Sequence, residues 1–178
     1  MEYVTLNNGV KMPILGYGVY QVDPAECERC VADAIRVGYR LIDTAQAYHN
    51  EEGVVENHVF FQQTQAREYM RKYHCQPMSW GPFAEGRNGF FTNETLKVIG
   101  DRYGKSVAQV ALRFLLQQGT VIIPKSTHVE RMHQNFDIFD FTLSEADMAE
   151  IGTLDTGKSL FFPHPDPATV EQFMIWGK

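Results

Sequence analysis

A chain of 178 residues with 44% hydrophobic and 12% aromatic residues can fill one packed core, which excludes wholesale disorder. Sixteen Lys and Arg against 22 Asp and Glu leave a formal charge of −6, which excludes attachment to nucleic acid through a general positive field. No uncharged apolar run approaches the ~20 residues that cross a bilayer, and three cysteines are too few for a disulfide framework. The first residues lack the basic and apolar stretches of a secretion signal, so a cytoplasmic location without membrane attachment is the expectation.

In chain order, residues 4–13 with Asn8-Gly9 at their centre predict a β-hairpin. Residues 15–20 read as a strand whose Gly16 and Gly18 admit close approach to the backbone. Asp23 caps a helix with Pro24 at its first position. Cys27, Cys30, Val31, Ala34 and Ile35 recur on its apolar stripe, and Gly38 ends it. Residues 39–45 form the next strand, and strand–helix–strand implies parallel pairing with a right-handed crossover. Between Tyr48 and Gln62 the pattern starts like a helix and finishes like a strand end, with no clear turn between.

Residues 62–73 predict a polar helix, and residues 75–80 a strand entering the loop 81–86. Residues 93–103 form a helix closed by Gly104. Ser106 with Gln109 is a capping box before an apolar helix closed by Gly119. Residues 121–123 are a buried strand that Pro124 ends. Thr127 with Glu130 predicts a second capping box, opening a helix through Asn135, and Ser144 with Asp147 starts one more. The end of the chain, with Pro163, Pro165 and Pro167, reads as a surface tail.

Three stretches can carry chemistry. Asp43, at the C-terminal end of a parallel strand, faces the mouth where such folds hold ligands, and Tyr48 follows in the next loop. A phenol can protonate a carbonyl oxygen once a nearby cation lowers its pKa. Read alone, the pair serves as well as a loop cap and a rim aromatic. In residues 123–135 a strand ends, Lys125 and Ser126 follow, and Arg131 lies near the first turn of a helix. Two cations at a helix N-terminus suit a phosphate, and an adenosine 2′-phosphate is the candidate. Solvated charges at an ordinary cap are the plain alternative. Trp80, closing a strand, could stack on nicotinamide or pack the rim.

Other features carry less. Cys27 and Cys30 share an apolar helix face, which favours packing over redox chemistry. The six histidines show no ligand spacing, so no metal site is expected. Gly16 and Gly18 lack the third glycine of a dinucleotide fingerprint.

Together these blocks resemble the aldo-keto reductase superfamily, above all bacterial members of the 2,5-diketo-gluconate reductase kind. The matching stretches are Leu6-Asn7-Asn8-Gly9-Val10-Lys11-Met12-Pro13, Gly16-Tyr17-Gly18, Gly38-Tyr39-Arg40-Leu41-Ile42-Asp43-Thr44-Ala45, Tyr48-His49-Asn50-Glu51 and Ile123-Pro124-Lys125-Ser126. The resemblance implies an α/β fold of (β/α)8 TIM-barrel type that reduces aldehydes and ketones with NADPH. It places Tyr48 as proton donor and Asp43 as the carboxylate holding a catalytic lysine. Trp80 falls on the nicotinamide-stacking position, Gly81 and Phe83 on the pyrophosphate loop. Lys125, Ser126, Thr127 and Arg131 fall on the 2′-phosphate clamp, and Gln134 and Asn135 on positions facing adenine. Gly18, Val19 and Tyr20 fall on the segment lining the substrate mouth.

The chain departs from that pattern in length, since such barrels need about 250 residues. Glu51-Glu52-Gly53-Val54 runs directly into a segment resembling the end of the family's sixth strand. The expected fold is one incomplete barrel lacking roughly the third to sixth strand region, with an N-terminal block 1–54 and a C-terminal block 55–178. The stretch with the catalytic Lys, the catalytic His and the Ser-Asn pair falls in the gap. The expected function is NADPH-dependent reduction of small carbonyls with impaired turnover. A non-catalytic NADP-binding or interaction module, or a decayed gene product, are the alternatives. Two unpaired sheet edges would favour self-association.

Overall fold

Asn8-Gly9 reverses the chain, with Gly9 at φ +82°, and pairs β1 (Tyr3–Thr5) antiparallel with β2 (Lys11–Pro13). The computed structural model describes residues 1–20, 22–43, 54–72 and 74–161. Beyond the hairpin the strands are short and parallel. β3 (Tyr17–Gly18) pairs with β4 (Ile42–Asp43), β5 (Val54–Glu56) with β6 (Met78–Trp80), and β6 with β7 (Val121–Ile122). A parallel bridge between Leu15 and Ile122 joins the two groups. There the Gly16 amide donates to the Ile122 carbonyl at 2.8 Å, and the Ile122 amide to the Ile14 carbonyl at 3.0 Å. The order is therefore β5-β6-β7-β3-β4, an incomplete barrel of five parallel strands among the described residues.

Gly18 is required where β3 meets the end of β7. A Cβ there would lie 2.9 Å from the Ile123 carbonyl oxygen, so the close approach foreseen for this strand is made by a neighbouring strand.

The helices follow their caps. Asp23 accepts the Ala25 amide at 2.8 Å and opens α1 (Pro24–Val37). Cys30 and Ala34 are fully buried on its inner face, whereas Ile35, expected on that stripe, is 49% exposed. α2 (Thr64–Lys72) buries none of its residues. Asn93 caps α3 (Glu94–Tyr103), and Ser106 with Gln109 forms the expected box on α4 (Val107–Gln117). α4 supplies Val110, Leu112, Phe114 and Leu115 to a core shared with Leu15, Leu96 and Ile122. α5 (Val129–Phe136) packs by α1, where the Tyr39 hydroxyl donates to the Met132 carbonyl. Ser144 and Asp147 box the start of α6 (Glu145–Gly152), and Asp147 also takes Arg102 at 2.7 Å, tying α6 to α3.

One expected cap is absent. His128, not Thr127, stands at the α5 N-cap, with no side-chain cap hydrogen bond. The Ser126 hydroxyl accepts the His128 amide at 3.1 Å, and this tight local turn delays the helix to Val129. A further departure is residues 84–92, a 3₁₀-type segment in which Ala84, Glu85 and Asn88 join two glycines at positive φ. Such strain in non-glycine residues persists only where the surroundings over-determine it.

Candidate functional site

The C-terminal ends of β3, β4, β6 and β7 carry the expected site residues. Beyond β7, Ile123 and Pro124 are buried, Lys125 is exposed and Ser126 is buried again. The Tyr17 hydroxyl donates to the Ser126 carbonyl at 2.5 Å and fixes this loop to β3. The Ser126 hydroxyl is engaged with the His128 backbone. The α5 N-terminus has no side-chain cap, which leaves first-turn N–H groups to accept an anion. Lys125 and Arg131, both exposed, flank that end, and Arg131 makes no ion pair with any described residue. Arg29 reaches the Thr127 carbonyl at 3.5 Å while pairing with Glu26 and Asp33 at 3.2 Å each. Uncapped amides beside these cations fit a phosphate monoester. Gln134 is exposed and Asn135 buried, so only the first presents its side chain to solvent.

Across the arc, Val19 donates its amide to the Asp43 carbonyl at 3.2 Å, and Tyr20 is 53% exposed at the rim. Burial holds the Asp43 carboxyl above the usual carboxylate range, and no cation pairs with it among the described residues. Tyr48, the expected proton donor, lies outside the described residues.

Trp80 ends β6 half-buried. Its ring lies 4.8 Å from that of Phe161 at 57°, and Phe161 in turn carries the Arg87 guanidinium 4.2 Å above it. Gly81 adopts φ +62° beneath the same ring. Phe83 packs on Phe90 and Phe91. The segment bearing Phe161 is held by Glu56, a fully buried carboxylate. It accepts the Ser159 hydroxyl at 2.5 Å, the Leu160 amide at 3.0 Å and His58 Nε2 at 3.0 Å. Sequence patterning gave no signal for this clasp, because Glu56 and Ser159 are 103 positions apart. Among the described residues no group of His, Cys, Asp and Glu is arranged to hold a metal ion, and no helix is long and apolar enough to cross a membrane.

Residues 54–156 match the Aldo/keto reductase family. Methylglyoxal reductase DkgA of Escherichia coli (strain K12) is 26% identical over 267 aligned positions, taking in 92% of this chain and 96% of that protein. An aldo-keto reductase of Mycobacterium sp. (strain KMS) is 26% identical over 93% of this chain and 96% of that protein. Because 267 aligned positions exceed 178 residues, the DkgA alignment carries gaps on this chain's side. Among solved structures, an aldo/keto reductase from Brucella melitensis superposes at a TM-score of 0.79 with 25% identity, over 86% of this chain and 98% of that one. A variant of Gox0644 in complex with NADPH gives 0.86 at 20% identity, over 93% and 98%, a likeness of fold.

Proposed function

The chain belongs to the aldo/keto reductase family, and we propose that it is an NADPH-binding member whose reduction of small aldehydes and ketones is impaired. The observation that carries this reading is the uncapped start of α5 between Lys125 and Arg131. There Lys125, Arg131 and the first-turn amides would hold the 2′-phosphate, with the Ser126 hydroxyl and Thr127 bounding the cradle. Gln134 and Asn135 would sit towards adenine, Gly81 and Phe83 along the pyrophosphate, and Trp80 at the nicotinamide. Gly18, Val19 and Tyr20 would line the substrate mouth. When bound, NADPH supplies a hydride.

The chain's own contribution is proton donation, and here it is weak. Asp43 occupies the position that the resemblance gives to a lysine's partner, yet its carboxyl is pushed up by burial, the opposite of what a bound ammonium would do. A phenol with no cation beside it is a poor acid at neutral pH. A positioned general acid contributes about 10²–10⁴-fold in rate, which is the scale of the expected deficit. The same lone aspartate favours a second reading, a non-catalytic NADP-binding module. Edges of β4 and β5 that pair on one side among the described residues would support association between copies, read as a concentration-dependent sedimentation coefficient.

Methylglyoxal, named for the DkgA relative, is the first substrate to try. NADPH oxidation faster with the native chain than with Tyr48→Phe supports the enzyme, and equal rates leave the binding module. NADPH fluorescence titration tests the shared premise, with Arg131→Ala expected to weaken NADPH more than NADH. No binding of either coenzyme rejects both readings.

A further inference from the structure

At the N-terminal ends of β6 and β7, the opposite end of the strands from the site above, lies a cavity of about 770 Å³. That volume falls within the roughly 300–1,000 Å³ of small-molecule pockets. It is walled by the hairpin turn after β1, the last turns of α2, the approach to β6 and the end of α4. The chain has 22 acidic residues, yet none of the eleven residues lining this cavity is acidic, while Arg67, Arg71 and His74 are among them. In a protein of net charge −6 such a lining is selective for anions.

Arg67 and Arg71 stand one helical turn apart on α2 and so share a face. Arg67 gives its Nε to the Gln62 carbonyl at 2.9 Å, and its terminal nitrogens make no hydrogen bond with any described residue. Arg71 is exposed and forms no ion pair among the described residues. Burial, and then the charge of Arg71, lower the Arg67 pKa against the pull of Asp155, as two guanidinium groups on one wall should. Core packing does not account for this face, because no residue of α2 is fully buried.

We propose that this cavity binds a small phosphorylated sugar or polyol, whose phosphoryl oxygens take the Arg67 and Arg71 guanidinium groups and whose hydroxyls meet the uncharged polar lining of Thr5 and Asn7. Guanidinium forks match phosphoryl oxygens in charge and geometry. A bare phosphate would fill only a small part of the space, which is why a polyhydroxy body accompanies it.

The test uses the full-length chain carrying Lys125→Ala and Arg131→Ala, so that phosphate held at the other end of the strands does not contribute. Isothermal titration calorimetry with glucose 6-phosphate, inorganic phosphate and glucose is the readout. Glucose 6-phosphate is expected to bind more tightly than phosphate, and glucose not at all. Arg71→Gln, at an exposed site with no ion pair among the described residues, is expected to weaken glucose 6-phosphate at least tenfold, and Arg71→Lys less. No heat with glucose 6-phosphate, or equal affinity in Arg71→Gln, overturns the proposal. Equal affinities for phosphate and glucose 6-phosphate overturn its sugar half. None of these results bears on NADPH binding by the native chain.

Discussion

The phenol of Tyr17 donates to the main-chain carbonyl of Ser126 across 109 positions of sequence. It is a direct link between β3 and the loop that carries Lys125. Tyr17 is 1% exposed and stands edge-on to Tyr39 at 5.8 Å, so the ring is fixed by packing and the hydroxyl by one acceptor.

Tyr17→Phe therefore keeps the packing and leaves a buried carbonyl without its donor. The expected loss is about 1–3 kcal/mol in urea unfolding, with a weaker NADPH affinity because the loop loses its tether. Burial, followed by Cys30, raises the Tyr17 pKa, and burial raises that of Tyr39. Stability from these two phenols is fully present below the unfolded phenol pKa of about 10 and is lost as pH rises towards the higher folded values. Ultraviolet difference titration should show them ionising only on unfolding.

Asp43 gives the opposite signature from a paired carboxylate. Its folded pKa is raised, so its contribution is full below the unfolded carboxyl pKa and falls away as pH climbs through the folded value. Asp43→Asn is expected to raise stability at pH 7, by no more than about 1 kcal/mol, and to flatten the dependence on pH. Loss of stability at pH 7 in this variant would reveal a lysine-like partner and restore the case for an intact proton relay.

Asn57 sits wholly buried beside β5 with both polar atoms of its side-chain amide unpartnered among the described residues, although its main-chain carbonyl accepts the Ser79 hydroxyl at 2.5 Å. Removing an unsatisfied buried amide at nearly constant volume should stabilise. Asn57→Leu is expected to raise the denaturant midpoint, worth about 1–3 kcal/mol, with no change in slope.

Glu56→Ala should do the reverse. It strips partners from His58, Ser159 and the Leu160 amide at once, and each buried polar group left unsatisfied costs about 1–3 kcal/mol. Amide exchange should quicken at residues 159–161 before it does in α4. Indole emission should change as Phe161 leaves Trp80. Unchanged exchange there would show that Arg87, which donates to the Leu160 carbonyl at 2.7 Å, suffices.

What could be read from the sequence was what is local. Asp23, Ser106 and Ser144 cap helices because each side-chain oxygen reaches an amide two or three residues on. Thr127 shows the limit of that logic: it has the right spacing to Glu130, but the adjacent Ser126 hydroxyl captures the turn first. Ile35 shows another, since helical periodicity names a face without saying whether anything covers it. Lys125, Ser126 and Arg131 could be grouped from the sequence because they are nearly contiguous. The Glu56–Ser159 clasp and the Phe161 contact on Trp80 were not, because each joins distant segments. Strand order needed more than pattern, as nothing local in Leu15 or Ile122 announces that they pair.

That Leu15–Ile122 bridge has a bearing on biogenesis. A nascent chain leaves the ribosome N-terminus first, at roughly 5–20 residues per second, and the partner of its opening strand is made late. For some seconds the first forty residues have one neighbour at most and expose the valences that β7 will fill. Refolding from denaturant, where both segments are present from the start, should therefore give a higher yield than synthesis without chaperones.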